Sequence, residues 1–181
     1  MGFQEAFTGR ENIELGCKLL GLSDAEITQR LPDIIRFAEL GAFIDDPVRT
    51  YSTGMGLRLG FAIAVHVDAE LLLVDEVLAV GDQGFQRKCI RRIEQMLANG
   101  CGLVLVSHDL HAIRSLCSEV IWLDAGRPRM RGPARDVVDA YLDLDRVRAA
   151  RAKGTEPDAP APISQAARIL PVGLSPTTES D

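Results

Sequence analysis

The chain has 181 residues, of which 46% are hydrophobic and 25% are charged, as expected for one globular domain or slightly more. Its formal net charge of −6 argues against nucleic acid as the main partner, because a protein that binds phosphate backbones needs a basic surface to neutralise them. No apolar run approaches the ~18 residues of a membrane-spanning helix, so the sequence predicts no direct insertion into a membrane.

The first part of the chain predicts a series of helices. ENIELGCKLLGL favours a helix that begins at about Glu11. A second helix begins after Ser23, because Ser23 and Glu26 have the spacing of a capping box. Pro32 suits the first turn of a helix, so we expect a further helix to start there and to end near residues 40–41.

YSTGM, at residues 51–55, opens the next predicted helix, which runs to about Val67. Ser52 offers a hydroxyl as the N-cap, and Gly54 allows another molecule to approach the backbone closely. The first turn of such a helix presents free N–H groups and the positive end of the helix dipole, which together bind phosphate groups. The alternative interpretation is a capped helix without a ligand.

LLLVDE, at residues 71–76, combines an apolar strand with two adjacent carboxylates. Four apolar residues without alternation favour a strand buried on both faces, as in a parallel sheet. Asp75 and Glu76 would then emerge at the carboxyl end of the strand, where open α/β sheets form their ligand crevice. Such a pair can hold a hydrated Mg²⁺ with one carboxylate and orient an attacking water with the other. A strand that simply ends at solvated carboxylates is the alternative.

The chain then alternates between predicted helices and strands. Asp82 begins a helix that stops at Gly100 and has one apolar face. That face consists of Phe85, Cys89, Ile90, Ile93, Met96 and Leu97. Next, the pattern predicts a strand at 103–106, a short helix after Asp109, a strand at 120–123, a hairpin turn at 125–126 and a helix from Pro133. This alternation implies a parallel sheet wrapped by helices.

Other features of the sequence are interpreted without a chemical role. Residues 153–181 contain five of the nine prolines and no sustained hydrophobic period, so we expect a disordered tail or, as the alternative, a segment that folds on binding. Four cysteines without C-x-x-C spacing are expected to be buried thiols in a reducing compartment. His66 and His111 are predicted to be helix residues without a role. The basic residues Arg87, Lys88, Arg91 and Arg92 are predicted to form a solvated helix face.

Four motifs follow one another in a familiar order: YSTGM, LLLVDE, AVGD at residues 79–82, and His108 after an apolar run. They resemble, in turn, the signature motif usually written LSGGQ, the Walker B strand, the D-loop and the switch histidine of the nucleotide-binding subunit of ABC transporters. Residues 8–13, 66–89 and 120–142 resemble the branch that exports cell-surface polysaccharides such as O-antigen or teichoic acid. The resemblance covers residues 1 to about 145.

The resemblance implies an α/β fold, a P-loop NTPase-like parallel sheet wrapped by helices with a helical insertion. The helical subdomain would span about 8–67 and the remaining catalytic sheet about 68–145. Residues 146–181 would hold the end of the last helix and the tail. No G-x-x-x-x-G-K-[ST] sequence occurs in the chain. The phosphate cradle and its lysine are therefore not among these residues, and the resemblance implies an ABC nucleotide-binding domain without its N-terminal third.

The resemblance also assigns nucleotide-binding residues. Family dimers hold ATP between the P-loop of one subunit and the signature motif of the other. Ser52, Thr53 and Gly54 would therefore bind nucleotide across the dimer. Asp82 would lie at the subunit interface, although it is equally consistent with a helix cap alone.

Three further residues receive roles in metal binding and catalysis. Asp75 would bind Mg²⁺, and Glu76 would accept a proton from the attacking water or orient it. His108 would contact the γ-phosphate and respond to its loss. The alternative interpretation of His108 is a structural histidine that follows a buried strand and has no catalytic role.

The implied function is an ATP-binding subunit that powers export of a cell-surface polysaccharide by ATP hydrolysis in a dimer. It would use ATP and Mg²⁺, pair with a second copy of itself, and bind integral-membrane permease subunits at the cytoplasmic face of the membrane. The alternative is a non-catalytic half-site that binds a partner's ATP in trans through YSTGM. The identity of the glycan is not encoded in these residues.

Overall fold

The computed structural model describes the backbone of residues 2–75, 81–152 and 168–171 and the side chains of residues 2–75 and 81–144. The chain forms two compact units, one of residues 1–69 with 77–96 and one of residues 70–76 with 97–181. The first unit is built from helices, and the second contains the strands.

Four helices build the first unit. They are α1 (Gly9–Leu19), α2 (Asp24–Ala38), α3 (Thr53–Ala64) and α4 (Gln83–Ala98), the last of which ends in the second unit. Two short 3-10 turns, Gly41–Asp45 and Val48–Thr50, lie between α2 and α3. Fully buried side chains from all four helices form the core: Ile13, Ile34, Leu59, Ile63, Phe85 and Ile93. Burying a side chain of this size contributes roughly 1.5–3 kcal/mol, so packing holds these helices in place.

Side-chain caps set the start of the first two helices. Ser23 accepts the N–H of Glu26, and Glu26 accepts the N–H of Ser23, which confirms the predicted capping box. Thr8 and Glu11 form a second box, so α1 begins at Gly9 instead of at Glu11. The T-x-x-E spacing is the sequence signal for this earlier start.

The prediction that Pro32 starts a new helix is wrong. α2 runs without interruption through Pro32, which removes one backbone donor from the helix. Pro32 is exposed, whereas Ile27 and Ile34 on either side are buried, so packing of the apolar face outweighs the local cost. The helix ends at Glu39, whose φ of 54° is left-handed.

Two sheets form in the second unit. β1 (Leu71–Asp75) and β2 (Gly102–Val106) pair in parallel. β3 (Glu119–Asp124) lies between β4 (Arg127–Pro133) and β5 (Arg168–Pro171) and is antiparallel to both. Helices α5 (Leu110–Leu116) and α6 (Ala134–Ala152) belong to the same unit.

The α/β fold class is confirmed, but the strand predicted at 120–123 does not extend the parallel sheet. Ala125 and Gly126 both have positive φ and fold β4 directly back onto β3. A parallel neighbour would need a crossover of a dozen or more residues instead of this tight turn. Among the described helices, none is long and apolar enough to cross a membrane.

Burial of β1 on both faces was predicted and is wrong. Leu71 is 50% exposed and Leu73 is 71% exposed. Val74, which points to the other face of the strand, is only 7% exposed. In the part of the chain that the structure describes, β2 is the only strand that pairs with β1. One face of β1 is therefore apolar and uncovered within the described residues.

Most of the tail that was predicted to be disordered lies outside the described residues. Within it, Arg168–Pro171 forms β5, paired with residues 120–123 of β3, so the expectation of disorder is wrong for this segment. A strand can add to a sheet edge through backbone hydrogen bonds without the hydrophobic period on which the prediction depended.

The basic side chains of α4 do not all face solvent, which corrects a further prediction. The Lys88 ammonium donates to a carboxylate oxygen of Glu39 at 2.6 Å. Arg92 Nε donates to the carbonyl oxygen of Val65 at 2.9 Å. Both side chains serve as tertiary links within the first unit, whereas the other two arginines are exposed.

Candidate functional site

The predicted site residues fall in both units, and each group is described within its own unit. The first unit contains Ser52, Thr53, Gly54 and Asp82, and the second contains Asp75 and His108. Glu76 and residues 77–80 lie outside the described residues.

Ser52 caps α3 as predicted. Its backbone is extended, and its Oγ accepts the N–H of Met55 at 3.2 Å. The amides of Thr53 and Gly54, in the first turn, have no acceptor within the helix. A Cβ built on Gly54 meets no atom closer than Ser52 Oγ at 3.9 Å, so the space in front of this turn is open within the unit. The helix end can therefore receive an anion.

A cavity of about 500 Å³ lies beside this end of α3. Ser52, Gly54 and Met55 line it from α3, and the chain that follows α2 lines it from the other side through Leu40 and Phe43. Cavities of this size hold small-molecule ligands in other proteins. The exposed N-terminal amides of α3 thus border a space of ligand dimensions.

Tyr51 anchors the start of the motif to the helical unit. Its hydroxyl donates to the carbonyl oxygen of Phe43 at 2.6 Å. Burial raises the pKa of Tyr51, and the carboxylates of Asp46 and Asp45 raise it further, so the hydroxyl stays protonated and remains a donor. The sequence motif did not predict this role for Tyr51.

Arg58 is a second residue that the sequence analysis missed. It lies on α3 and donates to Asp82 Oδ2 at 2.8 Å. Its other terminal nitrogen is 3.9 Å from a Glu39 oxygen, and its guanidinium lies 4.7 Å from the ring centroid of Phe85. The side chain is only 19% exposed. Arg58 thus links α3 to the end of α2 and the start of α4. The sequence signal that could have identified it is that Arg58 is the only charged residue of α3.

Asp82 caps α4, as predicted. Its Oδ1 accepts the N–H of Phe85 at 3.0 Å, while Oδ2 accepts from Arg58. The bond from Phe85 is the main cause that lowers the pKa of Asp82, with smaller contributions from Gly84 and Arg58. Gly81 has a φ of +74°, and a Cβ there would lie 2.9 Å from Arg58 Nε, so glycine leaves room for the ion pair.

In the second unit, Asp75 and the chain leading to His108 share one edge of the parallel pair. Asp75 is in register with Val106, and parallel strands bring their carboxyl ends to the same edge. His108 follows Val106 after one intervening residue. The side chains of Asp75 and His108 are both exposed.

Hydrogen bonds fix the chain on both sides of His108. Ser107 is buried, and its Oγ accepts the N–H of Asp109 at 3.0 Å. Asp109 in turn caps α5, because its Oδ1 accepts the amides of His111 and Ala112. The predicted short helix after Asp109 is confirmed. An exposed imidazole is therefore held on an anchored turn.

The residues present fit a magnesium ion of the kind that nucleotides bring with them. Among the described residues, no three His, Cys, Asp or Glu side chains gather into a metal site. Mg²⁺ commonly keeps several waters and takes one or two carboxylates together with phosphate oxygens. Asp75, exposed at a strand end, offers such a single carboxylate.

Sequence comparison finds relatives of this chain that are named as ATP-binding proteins of export systems. No family model matches it. It is 44% identical over 140 residues to the O-antigen export system ATP-binding protein RfbB of Klebsiella pneumoniae, covering 77% of this chain and 57% of that protein. It is 43% identical over 141 residues to the teichoic acids export ATP-binding protein TagH of Listeria innocua, covering 78% of this chain and 42% of that protein. The chain thus spans less than two thirds of the length of these relatives.

Comparison with solved structures supports the fold. An ATP-binding subunit of an ABC transporter superposes with a TM-score of 0.69 at 23% identity, covering 87% of this chain and 61% of the other. The ATP-binding cassette MJ0796, in a dimeric post-hydrolysis state with ADP and phosphate, gives a TM-score of 0.61 at 22% identity, covering 74% and 59%.

Proposed function

We propose that this chain, over 140 residues a homologue of ATP-binding proteins that serve O-antigen and teichoic acid export, is the ATP-binding subunit of a polysaccharide-exporting ABC transporter. Its fold, which is that of ABC ATP-binding domains, supports the proposal. ATP binds between two copies of the subunit, and its hydrolysis drives export. Integral-membrane permease subunits hold the dimer at the cytoplasmic face of the membrane.

One observation carries the proposal most directly, namely the open N-terminal turn of α3 beside a cavity. Ser52 uses its hydroxyl to cap α3, and the first turn of the helix, with its free backbone amides, lines a space of about 500 Å³ through Ser52 and Gly54. These groups suit the γ-phosphate of a nucleotide that the second subunit holds. Asp82 and Arg58 fix this turn relative to α4 within the unit.

The strand edge of the second unit supplies the remaining chemistry. Asp75 would hold Mg²⁺ through its carboxylate, and the ion, when bound, would neutralise phosphate charge. Glu76, the next residue, orients the attacking water or accepts its proton. His108, on the turn between β2 and α5, contacts the γ-phosphate. The anchored turn supports this role because it fixes the backbone that carries the imidazole.

Glu76 provides the decisive test. We would join this chain to the upstream segment of the Klebsiella relative and measure phosphate release with Mg-ATP. Glu76→Gln should lower turnover by ~10²–10⁴ while ATP binding persists, because a positioned acid or base contributes that much. His108→Ala should act likewise.

Glu70→Gln is the matched control for the Glu76 test. Glu70 is an exposed carboxylate just before the other end of β1, so its loss should leave turnover unchanged. If Glu76→Gln and Glu70→Gln are equally active, the strand-end acid is not catalytic.

A non-catalytic half-site is the second candidate. The 181 residues contain no G-x-x-x-x-G-K-[ST] sequence and so do not by themselves separate the two candidates. Such a protein would bind a partner's ATP through Ser52, Thr53 and Gly54 without hydrolysing its own. The genomic reading frame separates the two: a P-loop encoded in frame upstream supports the ATPase, and a stop codon directly upstream supports the half-site.

A further inference from the structure

A second cavity, of about 400 Å³, lies between α2 and α4 in the first unit. Four of its lining residues are cations, and two others form an aromatic wall. The cations are Arg36, Lys88, Arg91 and Arg92, and the aromatic residues are Phe37 and His66. We call this space the basic cavity. Its charge opposes that of the chain, whose net charge is −6.

Carboxylates neutralise only part of the charge in the basic cavity. Arg36 pairs with Asp33 at 2.7 Å, and Lys88 pairs with Glu39 at 2.6 Å. Among the described residues, no carboxylate forms an ion pair with Arg91 or Arg92. Two guanidinium groups are thus left without a carboxylate partner there.

Arg92 is held in place even though no carboxylate pairs with it. Its Nε donates to Val65 O at 2.9 Å, and Nη1 donates to Gln95 Oε1 at 3.5 Å. The nearby Asp68 carboxylate is bonded to Arg30, which is the main cause that lowers its pKa, and the charge of Arg92 lowers that pKa further. A cation that neutral groups orient in advance loses little conformational entropy when an anion binds.

The aromatic wall strengthens the attraction for an anion. Phe37 and His66 meet edge to face with their centroids 5.2 Å apart, and Lys88 Nζ lies 4.6 Å from the Phe37 centroid. Burial lowers the pKa of His66, and Arg92 lowers it further, so the imidazole is neutral near pH 7 and adds no charge. A partly apolar surround lowers the local dielectric and makes charge interactions stronger than in water.

From these contacts we propose that the basic cavity is a binding site for a phosphate-class anion, either free or on a lipid headgroup. Guanidinium groups bind phosphate through paired N–H donors, and the cavity volume suits a ligand of this size. No residue that lines it belongs to the nucleotide-contacting set of the proposed function. The site therefore stands apart from the ATP site and is tested separately.

Inorganic pyrophosphate serves as the probe, with binding to the 181-residue chain measured by isothermal titration calorimetry. Arg91→Gln with Arg92→Gln should weaken binding by about tenfold or more, because charge-assisted hydrogen bonds are lost. Arg91→Gln alone, at an exposed position, tests the same site without disturbing the links of Arg92. Arg87→Gln removes the same charge from the same helix outside the cavity and should leave binding unchanged.

Vesicle flotation distinguishes the two sources of phosphate. Pyrophosphate binding without flotation on anionic phospholipid vesicles indicates a free anion, and flotation that is lost in the double variant indicates a headgroup. The proposal is overturned if neither probe binds, or if Arg87→Gln weakens binding as much as the double variant. Because ATP hydrolysis is not measured, failure here leaves the proposed function untouched, and the reverse also holds.

Discussion

Ser52 combines two roles at the residue scale that a single substitution can separate. Its Oγ caps α3, and the same helix end faces the cavity proposed for a γ-phosphate. Aspartate caps helices about as well as serine, but its charge repels phosphate. Ser52→Asp should therefore preserve the melting temperature and abolish ATP-driven dimerisation of the chimeric subunit, as measured by size-exclusion chromatography with light scattering.

The control for this substitution is Ser52→Asn, which keeps a good capping side chain at the same position without adding a charge. It should alter neither stability nor dimerisation. Normal dimerisation of Ser52→Asp would show that the helix end does not face phosphate.

Residues with local signals were predictable from sequence, and residues defined by tertiary contacts were not. Helix caps are predictable because a short polar side chain precedes an apolar helix, as at Ser52, Asp82 and Asp109. Arg58 and Tyr51 bind partners distant in sequence, so no local pattern identifies these partners, even though Arg58 stands out as the only charged residue of α3. The predicted roles of the site residues in catalysis stay predictions.

α2 shows at the scale of elements how tertiary packing overrides a local rule. Pro32 is exposed inside the helix, where it removes a donor and crowds the preceding turn. Pro32→Ala should raise the free energy of unfolding by about 1–3 kcal/mol, since alanine restores the hydrogen bond. Urea denaturation of the chain followed by circular dichroism measures this.

Pro47→Ala provides the contrasting variant. Pro47 precedes a 3-10 turn with a φ of −59°, which suits proline. Its replacement should lower stability by about 0.4–1 kcal/mol, because the unfolded chain gains freedom. A loss of stability in Pro32→Ala as well would mean that α2 requires its proline.

β1 has a consequence for solubility. Leu73 is 71% exposed on a strand that pairs only with β2 in the described part of the chain. Apolar strands with an open edge associate with other chains. Leu73→Glu should therefore reduce the aggregated fraction in size-exclusion chromatography without lowering the melting temperature.

Leu105→Glu is the matched change on the neighbouring strand, at a side chain that is 0% exposed. It should unfold the second unit, because a buried unpaired charge is costly. If Leu73→Glu unfolds the protein to the same extent, Leu73 is buried in solution and the aggregation argument fails.

The strands also show where sequence patterns lose information. The apolar run of LLLVDE predicted a strand correctly, but burial depends on which neighbours are present, and a run of leucines does not specify them. β5 joins β3 through backbone pairing, and this pairing does not require a hydrophobic period in the sequence. Composition alone therefore gave the wrong state for that segment.

Thiols in both units make the stability of the whole molecule sensitive to alkaline pH. Burial raises the pKa of Cys89 and that of Cys117 to about 12. In the unfolded chain a thiol ionises near its ordinary pKa of about 8.5. The contribution of these thiols to the free energy of unfolding is thus fully present below about pH 8.5. It is lost as pH rises toward 12, because unfolding then releases protons.

Urea unfolding at about pH 8 and about pH 10 checks this expectation, since these values bracket the ordinary thiol pKa. The urea midpoint should fall at the higher pH, and Cys89→Ala with Cys117→Ala should flatten the dependence. The sequence predicted buried thiols, which the structure confirms for Cys17, Cys89 and Cys101, while Cys117 is partly exposed. An unchanged slope in the double variant would assign the pH dependence to other groups.

Glu39 combines two opposing contributions to stability at the end of α2. Its left-handed backbone, with φ 54° and ψ 39°, favours glycine by roughly 1 kcal/mol. Its carboxylate, however, binds Lys88 at 2.6 Å and lies 3.9 Å from Arg58. A mutation to glycine would relax the backbone there but would remove the carboxylate that Lys88 binds, leaving its ammonium with the carbonyl oxygen of Phe37 at 3.0 Å. The two effects oppose each other in the stability of the helical unit, so neither residue can be judged from its backbone or its ion pair alone.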